Sequence, residues 1–331
     1  PLVIDPVLDF STYFGGNNED RGAGIALDNA GYIYIVGSTK STNLPLANFP
    51  PLYNATFGPV YGQLLNGSWD VFVAVLQPDG SDLVFTTYIG GKSTDMAAGI
   101  AVRNDTGVVT ITGYTDSLNY PNTTAVMKQN KTDVFVTRLN PWNSTLLWST
   151  YLGGNQTDRA TAIALRTGGA PVIVGTTDSP DFAGLSGTLG GQTDGFIARL
   201  NNDGGLVWGQ YIGGMNNDYI YGVVTDSGNN AWVTGSTLSP DFPKEGSVLQ
   251  PLKSGKADAF ITKLNESGTI LLSTFLGALG DDVGTGIALN ATGYPIITGY
   301  TDSAVVAPYV LFPARPGAFQ QTYGGGKSDG F

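Results

Sequence analysis

The chain has no cysteine and no histidine. Without thiols there is neither a disulfide framework nor a thiolate metal site, and without imidazole the usual neutral-pH general base and the commonest zinc ligand are missing. Charge is scarce too: 13% of the 331 residues are charged, and the 16 Lys and Arg are scattered against 27 Asp and Glu, for a net charge of −11. Phosphate recognition needs a concentrated basic surface, so nucleic acid and anionic membrane surfaces are poor partners. Glutamate occurs only at Glu19, Glu245 and Glu266, each in a turn-like stretch. No apolar run approaches the roughly 18 residues of a membrane span, and Pro1 does not open a signal sequence, so the chain reads as a mature or excised product. What is plentiful is glycine, 47 residues placed in turns rather than in a collagen or linker tract.

Those glycines mark a repeat. Tyr151, Leu152, Gly153, Gly154 followed by Asp158 recurs as Tyr13 to Gly16 with Asp20, Tyr88 to Gly91 with Asp95, Tyr211 to Gly214 with Asp218, and, degraded, Phe275 to Ala278 with Asp282. A second landmark follows each: an apolar run ending in Gly, then Thr at two residues and Ser at four, from Gly37, Gly113, Gly175, Gly235 and Gly299. A third is Asp-x-Phe at Asp70/Phe72, Asp133/Phe135, Asp194/Phe196, Asp258/Phe260 and Asp329/Phe331. A tandem period of about 60 residues outranks any local motif and favours one repeat-built domain over two ordinary ones.

Each repeat holds four short apolar runs separated by turn chemistry; in the third they cover 146–152, 160–165, 170–175 and 196–200. Tight-turn sequences such as Gly168-Gly169 and Asn202-Asp203-Gly204 divide them, and no window sustains a helical period. The fold class expected is all-β, a β-propeller of about five four-stranded blades, with a β-solenoid as the rival. The repeats fall at approximately 8–80, 81–143, 144–204, 205–268 and 269–331 plus 1–7, as a single domain. The second run of each repeat carries small residues (Ala23, Gly24, Ala26; Ala98, Gly99, Ala101; Gly286, Ala288), which suits the crowded strand nearest the axis.

Ser149 to Gly154, Gly24 to Asp28, Gly235 to Pro243 and Asp258 to Asn265 resemble the prokaryotic β-propeller repeats called SBBP. The resemblance spans essentially the whole chain. It implies an exported or cell-surface protein of a bacterium or archaeon, with no shared catalytic residues and usually seven blades, against five repeats here.

The repeated aspartates could ring a hard cation, but one per repeat fits a structural role, each accepting backbone N–H bonds in the turn after Gly-Gly. No metal or cofactor is expected. Sequons occur at Asn54, Asn66, Asn104, Asn122, Asn130, Asn143, Asn155, Asn265 and Asn290, all in connections between apolar runs, so glycosylation is expected. The third connection of the first and last repeats is enlarged, adding Phe49, Tyr53, Phe57 and Tyr61 in one and Tyr309 and Phe312 in the other. In a closed ring these insertions would be neighbours and form one aromatic, Pro-rich interaction patch. No polar residue of the second run stands out as unique to one repeat, as a catalytic site would require.

The expected function is therefore non-enzymatic: an extracellular or cell-surface structural or adhesive subunit, with protein or glycan partners. The alternative is a carbohydrate-binding or glycoside-hydrolysing propeller, which needs an acid and a second carboxylate flanking the bond. The chain ends bear on assembly. The last repeat stops at Phe331, and Pro1 to Asp5 supply the five residues that follow Asp-x-Phe elsewhere. The last blade is thus expected to be closed by the N-terminal strand, with Leu2 and Ile4 buried beside the strand of Phe331 at roughly 1.5–3 kcal/mol each. The same segment could complete a neighbouring subunit instead, giving a homopolymer by strand donation, or the sequence could be an excised fragment.

Overall fold

The computed structural model describes residues 10–45, 52–54, 58–61, 67–128, 131–303, 320 and 324–331. They form β-structure throughout, apart from a single 3-10 turn at Pro141–Asn143. By internal contacts the chain divides into two units, one of residues 1–126 and 136–150, the other of 127–135 and 151–331.

In the first unit, β1 (Asp20–Leu27) and β2 (Ile33–Thr39) are followed by the short β3 (Leu52–Asn54) and β4 (Gly58–Tyr61), then β5 (Asp70–Leu76) and β6 (Leu83–Ile89). The first sheet runs β1-β2-β5-β6. The second is built from β7 (Asp95–Arg103), β8 (Val108–Thr115), β9 (Asp133–Asn140) and β10 (Thr145–Leu152), with β3 added parallel to β10 and β4 outside it. The ends of β9 and β10 fall in the second unit.

That unit holds three further sheets. β11 (Asp158–Leu165), β12 (Pro171–Thr177), the two-residue β13 (Leu185–Ser186), β14 (Asp194–Leu200) and β15 (Leu206–Ile212) give the order β11-β12-β14-β15-β13. β16 (Asp218–Thr225), β17 (Ala231–Thr237), β18 (Asp258–Leu264) and β19 (Ile270–Leu276) form the fourth sheet in that order. The fifth has three strands, β20 (Asp282–Leu289), β21 (Pro295–Thr301) and β22 (Asp329–Gly330).

The sheets are out of phase with the sequence repeats by one strand. The run ending in Tyr-x-Gly-Gly is the last strand of the preceding sheet, as β6, β10, β15 and β19, and the Gly-Gly turn carries the chain across to open the next sheet at its Asp. The opening strands carry the small residues noted above and lie side by side within each unit, β1 along β7, and β11 along β16 along β20. Close approach is what the small residues allow: an added Cβ on Gly24 would stand 3.2 Å from Ile100 Cγ2, and one on Gly222 3.2 Å from Ile287 Cγ2.

Packing explains the second and third landmarks together. Gly175 pairs with Phe196, Gly235 with Phe260 and Gly37 with Phe72 across neighbouring strands. The missing side chain leaves room for the aromatic ring and for a carbonyl of the opening strand, since a Cβ on Gly175 would lie 2.0 Å from the Arg159 carbonyl oxygen and 2.7 Å from Phe196. The rings of Phe196 and Phe260, wholly buried, meet Phe182 and Phe242 at 5.0 and 4.4 Å.

Each opening strand also contains one extra residue, a β-bulge, at Ala23, Ala98, Thr161, Tyr221 and Thr285. A bulge bends its strand and re-aims one side chain. At the third sheet that side chain serves the next sheet: Thr161 Oγ1 donates to the Ile220 carbonyl at 2.7 Å.

Candidate functional site

The polar residues that repeat converge where one sheet hands over to the next. Asp158 Oδ2 accepts the Gly154 N–H at 2.8 Å and the Ser179 hydroxyl at 2.9 Å, so the Gly-Gly turn, the opening Asp and the Ser of Gly-x-Thr-x-Ser form one knot. Asp20, Asp95 and Asp218 hold Gly16, Gly91 and Gly214 in the same way at 2.6–2.7 Å, and Asp282 holds the Ala278 N–H at 2.6 Å. The opening Asp donates its own N–H to the preceding sheet: Asp95 to the Trp69 carbonyl, Asp158 to Thr132, Asp218 to Thr193 and Asp282 to Ala257, at 2.8–2.9 Å.

Those carbonyls immediately precede the Asp of Asp-x-Phe, which brings a second buried carboxylate to each junction. A Cβ on Gly153 would stand 2.9 Å from Asp158 Oδ2 and 3.0 Å from Asp133 Oδ1. On Gly213 it would meet Asp194 and Asp218, and on Gly277 Asp282 and Asp258. The first glycine of the pair is therefore the gap between two carboxylates. The second faces the loop after the Ser: Asp181 Oδ1 would be 2.5 Å from a Cβ on Gly154, and Asp241 Oδ1 2.4 Å from one on Gly214. The fifth repeat has Ala278 here, and at the matching loop position Val305 in place of Asn or Asp.

Burial pushes these carboxyls toward the neutral form. Asp158, Asp194 and Asp258 are each raised to about 6, by burial first and then by the charge of the companion carboxylate, against donors that pull the other way. Asp95, Asp218 and Asp282 are also raised, by burial above all. Oδ1 of Asp258 has no hydrogen-bond donor among the described residues. Chemically these pairs can hold protons, but they face backbone and neighbouring sheets. Among the described residues no group of three or more Asp or Glu could hold a metal ion.

Among the described residues, two features of the second unit depart from the repeat. On β16, Tyr219 and Tyr221 stack in parallel with ring centroids 6.2 Å apart, at positions held by Arg21 and Ala23, Met96 and Ala98, Arg159 and Thr161, and Val283 and Thr285 in the other opening strands. Residues two apart in a strand share a face, so the spacing of the two tyrosines is compatible with a pair, and the register shift at Tyr221 bends the strand where they meet. The other is a latch at the turn ends. Arg166, nearly buried, pairs with the exposed Glu266; Arg199 lies 3.6 Å from the same carboxylate, and Trp208 Nε1 donates to the Glu266 carbonyl at 2.9 Å. Of the three glutamates, Glu266 thus joins the third sheet to the fourth, Glu19 pairs with Arg21 and Lys40, and Glu245 forms a bridge with Ser273.

Of the sequons, Asn104, Asn143, Asn155 and Asn290 are exposed, and Asn122 and Asn265 are half-buried in turns. The side-chain oxygens of Asn265 and Asn290 accept the N–H of Ser267 and Thr292, leaving the amide nitrogen as the atom to carry a sugar. Asn54, Asn66 and Asn130 lie outside the described side chains, as do Phe49, Tyr53, Phe57, Tyr61, Tyr309 and Phe312 of the expected patch and Leu2 and Ile4 of the expected closure strand. Phe331 is described: its N–H and carbonyl both bond Gly299 at 3.1 Å, extending β22.

A family model described as SBBP, beta-propeller repeat, matches residues 9–45 and 207–243, and the chain carries repeats of this type. No curated protein matches the chain. Similar solved structures include a gluconolactonase from Xanthomonas campestris (11% identity, TM-score 0.39, 84% of this chain and 69% of that one). A protein of unknown function from Dyadobacter fermentans has 12% identity and a TM-score of 0.37, over 83% and 69%. A GH43 β-xylosidase/α-arabinofuranosidase from a compost metagenome has 12% identity and a TM-score of 0.31, over 83% and 93%. The all-β propeller architecture rests on the repeats and on the sheets themselves.

Proposed function

We propose that the protein is a non-enzymatic structural or adhesive subunit of a cell surface, a five-bladed β-propeller whose last blade is closed by the N-terminal strand. One observation carries this reading: the opening carboxylate of each sheet is bound up in the turn before it, accepting a backbone proton there at 2.6–2.8 Å. Carboxylates in such knots have neither the exposure nor the freedom that acid and base catalysis on a sugar or ester demands. Extracellular placement and glycosylation at the exposed sequons belong to the same proposal and are read as hexose-sized increments in the mass of the native protein; their absence removes the glycosylation claim.

A second reading, carbohydrate binding, is favoured by the Tyr219–Tyr221 pair, because parallel aromatic faces suit the apolar side of a pyranose. A glycan array with the wild-type protein, a Tyr219→Ala/Tyr221→Ala variant and a Tyr53→Ala/Tyr309→Ala variant separates the two. The structural reading expects no selective binding. Selective binding abolished in either variant would replace it with the second.

A further inference from the structure

At the turn ends of the third sheet two guanidinium groups share one carboxylate. Arg166 follows β11, Arg199 lies in β14, and Glu266 sits in the turn between β18 and β19. The Arg166 side chain is 5% exposed and that of Arg199 20%, whereas Glu266 is 61% exposed. Arg166 Nη2 donates to Glu266 Oε1, while Arg199 Nη2 stays 3.6 Å from the same oxygen, too far for a hydrogen bond. Two positive groups against one negative leave an uncompensated positive charge, in a chain whose net charge is −11.

The second sheet shows what the third lacks. Arg103, at the position of Arg166, pairs with Asp105 of its own turn at 3.0 Å. The residue matching Asp105 is Gly168, so Arg166 has no carboxylate in its own turn. Donors exceed acceptors as a result. Nε of Arg166 and Nε of Arg199 are both buried with no acceptor among the described residues, and Arg199 Nη1 bonds only to the Glu266 carbonyl, at 2.9 Å. Burial and the charge of Arg166 both work against the charged form of Arg199, with Glu266 opposing them.

The frame around the two guanidiniums does not depend on the Glu266 carboxylate. The Glu266 carbonyl is held by Trp208 Nε1 and Arg199 Nη1, both at 2.9 Å, and its turn is fixed by Asn265 Oδ1, which accepts the N–H groups of Ser267 and Thr269 at 3.0 and 2.9 Å. On the other side, the Thr167 N–H donates to Asn229 Oδ1 at 2.8 Å, and Asn202 Nδ2 donates to the Gly168 carbonyl at 3.2 Å. The carboxylate itself is bonded to Arg166 and is largely exposed, so it can swing into water while the turn that carries it stays in place.

We propose that Arg166 and Arg199 form a binding site for a small free dianion of the sulfate type, with the Glu266 carboxylate as its internal competitor. Once that carboxylate swings away, two guanidinium charges face one ligand, and a dianion matches them in charge. Its several oxygens accept from both planar forks at once, which a single carboxylate oxygen does not do here. The net charge of −11 repels a polyanion over its whole length, so a free ion is favoured over nucleic acid or a sulfated polymer. The site goes beyond the structural reading above, which neither requires nor forbids it.

Titration calorimetry with sodium sulfate at constant ionic strength tests the site in the wild type, Glu266→Gln and Arg199→Lys. One sulfate per chain is expected in the wild type. Affinity should rise at least about tenfold in Glu266→Gln, where the competitor and its charge-assisted bond are gone. It should fall in Arg199→Lys, which keeps the charge and loses the fork. Melting curves establish that each variant is folded; if Glu266→Gln is not, the comparison of wild type with Arg199→Lys decides. No saturable heat in the folded proteins overturns the site, as does an affinity that Arg199→Lys leaves unchanged, which would put the ion elsewhere. An affinity that folded Glu266→Gln fails to raise overturns the competition. Each of these results leaves the structural reading standing, and selective sugar binding in the array would remove that reading without touching this site.

Discussion

Thermal stability is expected to be highest near pH 4 and to fall steadily toward pH 7, the reverse of the usual behaviour of an acidic protein. The groups responsible are the buried carboxyls at the junctions. Asp158 faces Asp133, Asp194 faces Asp218 and Asp241, and Asp258 faces Asp282 with Lys253 nearby; each of Asp158, Asp194 and Asp258 sits at about 6 against an ordinary 3.8. A folded-state value above the unfolded one means that the native state binds more protons through the interval between them. The stabilisation is then complete below the unfolded value and is lost as pH rises through about 6. On the order of 2 kcal/mol per group is involved. Asp226 works in the opposite sense. Burial raises it, but bonds from Asn230, Lys263 and Trp232 outweigh that and hold it at about 2, so its contribution is present at neutral pH and is lost only in strong acid. The two windows do not overlap, and between pH 4 and 7 the raised group decides the slope.

Melting curves across that range check the sign. Asp158→Asn is the informative variant, because its amide oxygen can accept from Gly154 and Ser179 while its nitrogen donates toward Asp133. It is expected to flatten the pH dependence and to raise the melting temperature at pH 7. A wild-type melting temperature that climbs from pH 4 to 7 contradicts the account of the paired carboxyls.

The second large effect concerns the glycine of the Gly-x-Thr-x-Ser landmark. Gly175→Ala is expected to destabilise by about 3 kcal/mol or more, since the new methyl must share space with the Arg159 carbonyl and the buried Phe196 ring. Gly22→Ala, in the opening strand of the first sheet with none of the described residues within 4 Å of its Cβ position, should stay within about 0.5 kcal/mol of the parent. Urea unfolding of the two variants at one pH gives the comparison. Equal losses would mean that the landmark glycine serves chain flexibility, not the seating of the aromatic ring.

Much of this architecture could be read from spacing alone. The Asp four residues after Gly-Gly and the Ser four after the landmark Gly are fixed in sequence because they are partners in one knot, as at Asp158, Gly154 and Ser179. The phase of the sheets could not be read, because the four runs occur in the same cyclic order whichever one is taken as first. Pairing of Arg199 with Trp208 across β14 and β15 settles the matter, placing the Tyr-x-Gly-Gly run in the sheet that precedes it. The bulges were also invisible: one extra residue within an apolar run, such as Tyr221, changes no pattern that the eye or a periodicity can find. The expected aromatic patch from Phe49 to Phe312 lies outside the described side chains, whereas Ile25 and Ile296 look like ordinary strand residues in sequence and are exposed in the structure.

The glycan array tests the central claim of a non-enzymatic structural subunit most directly. No selective binding by the wild-type protein is the predicted result. Selective binding by the wild type that is abolished in the Tyr219→Ala/Tyr221→Ala variant would contradict it.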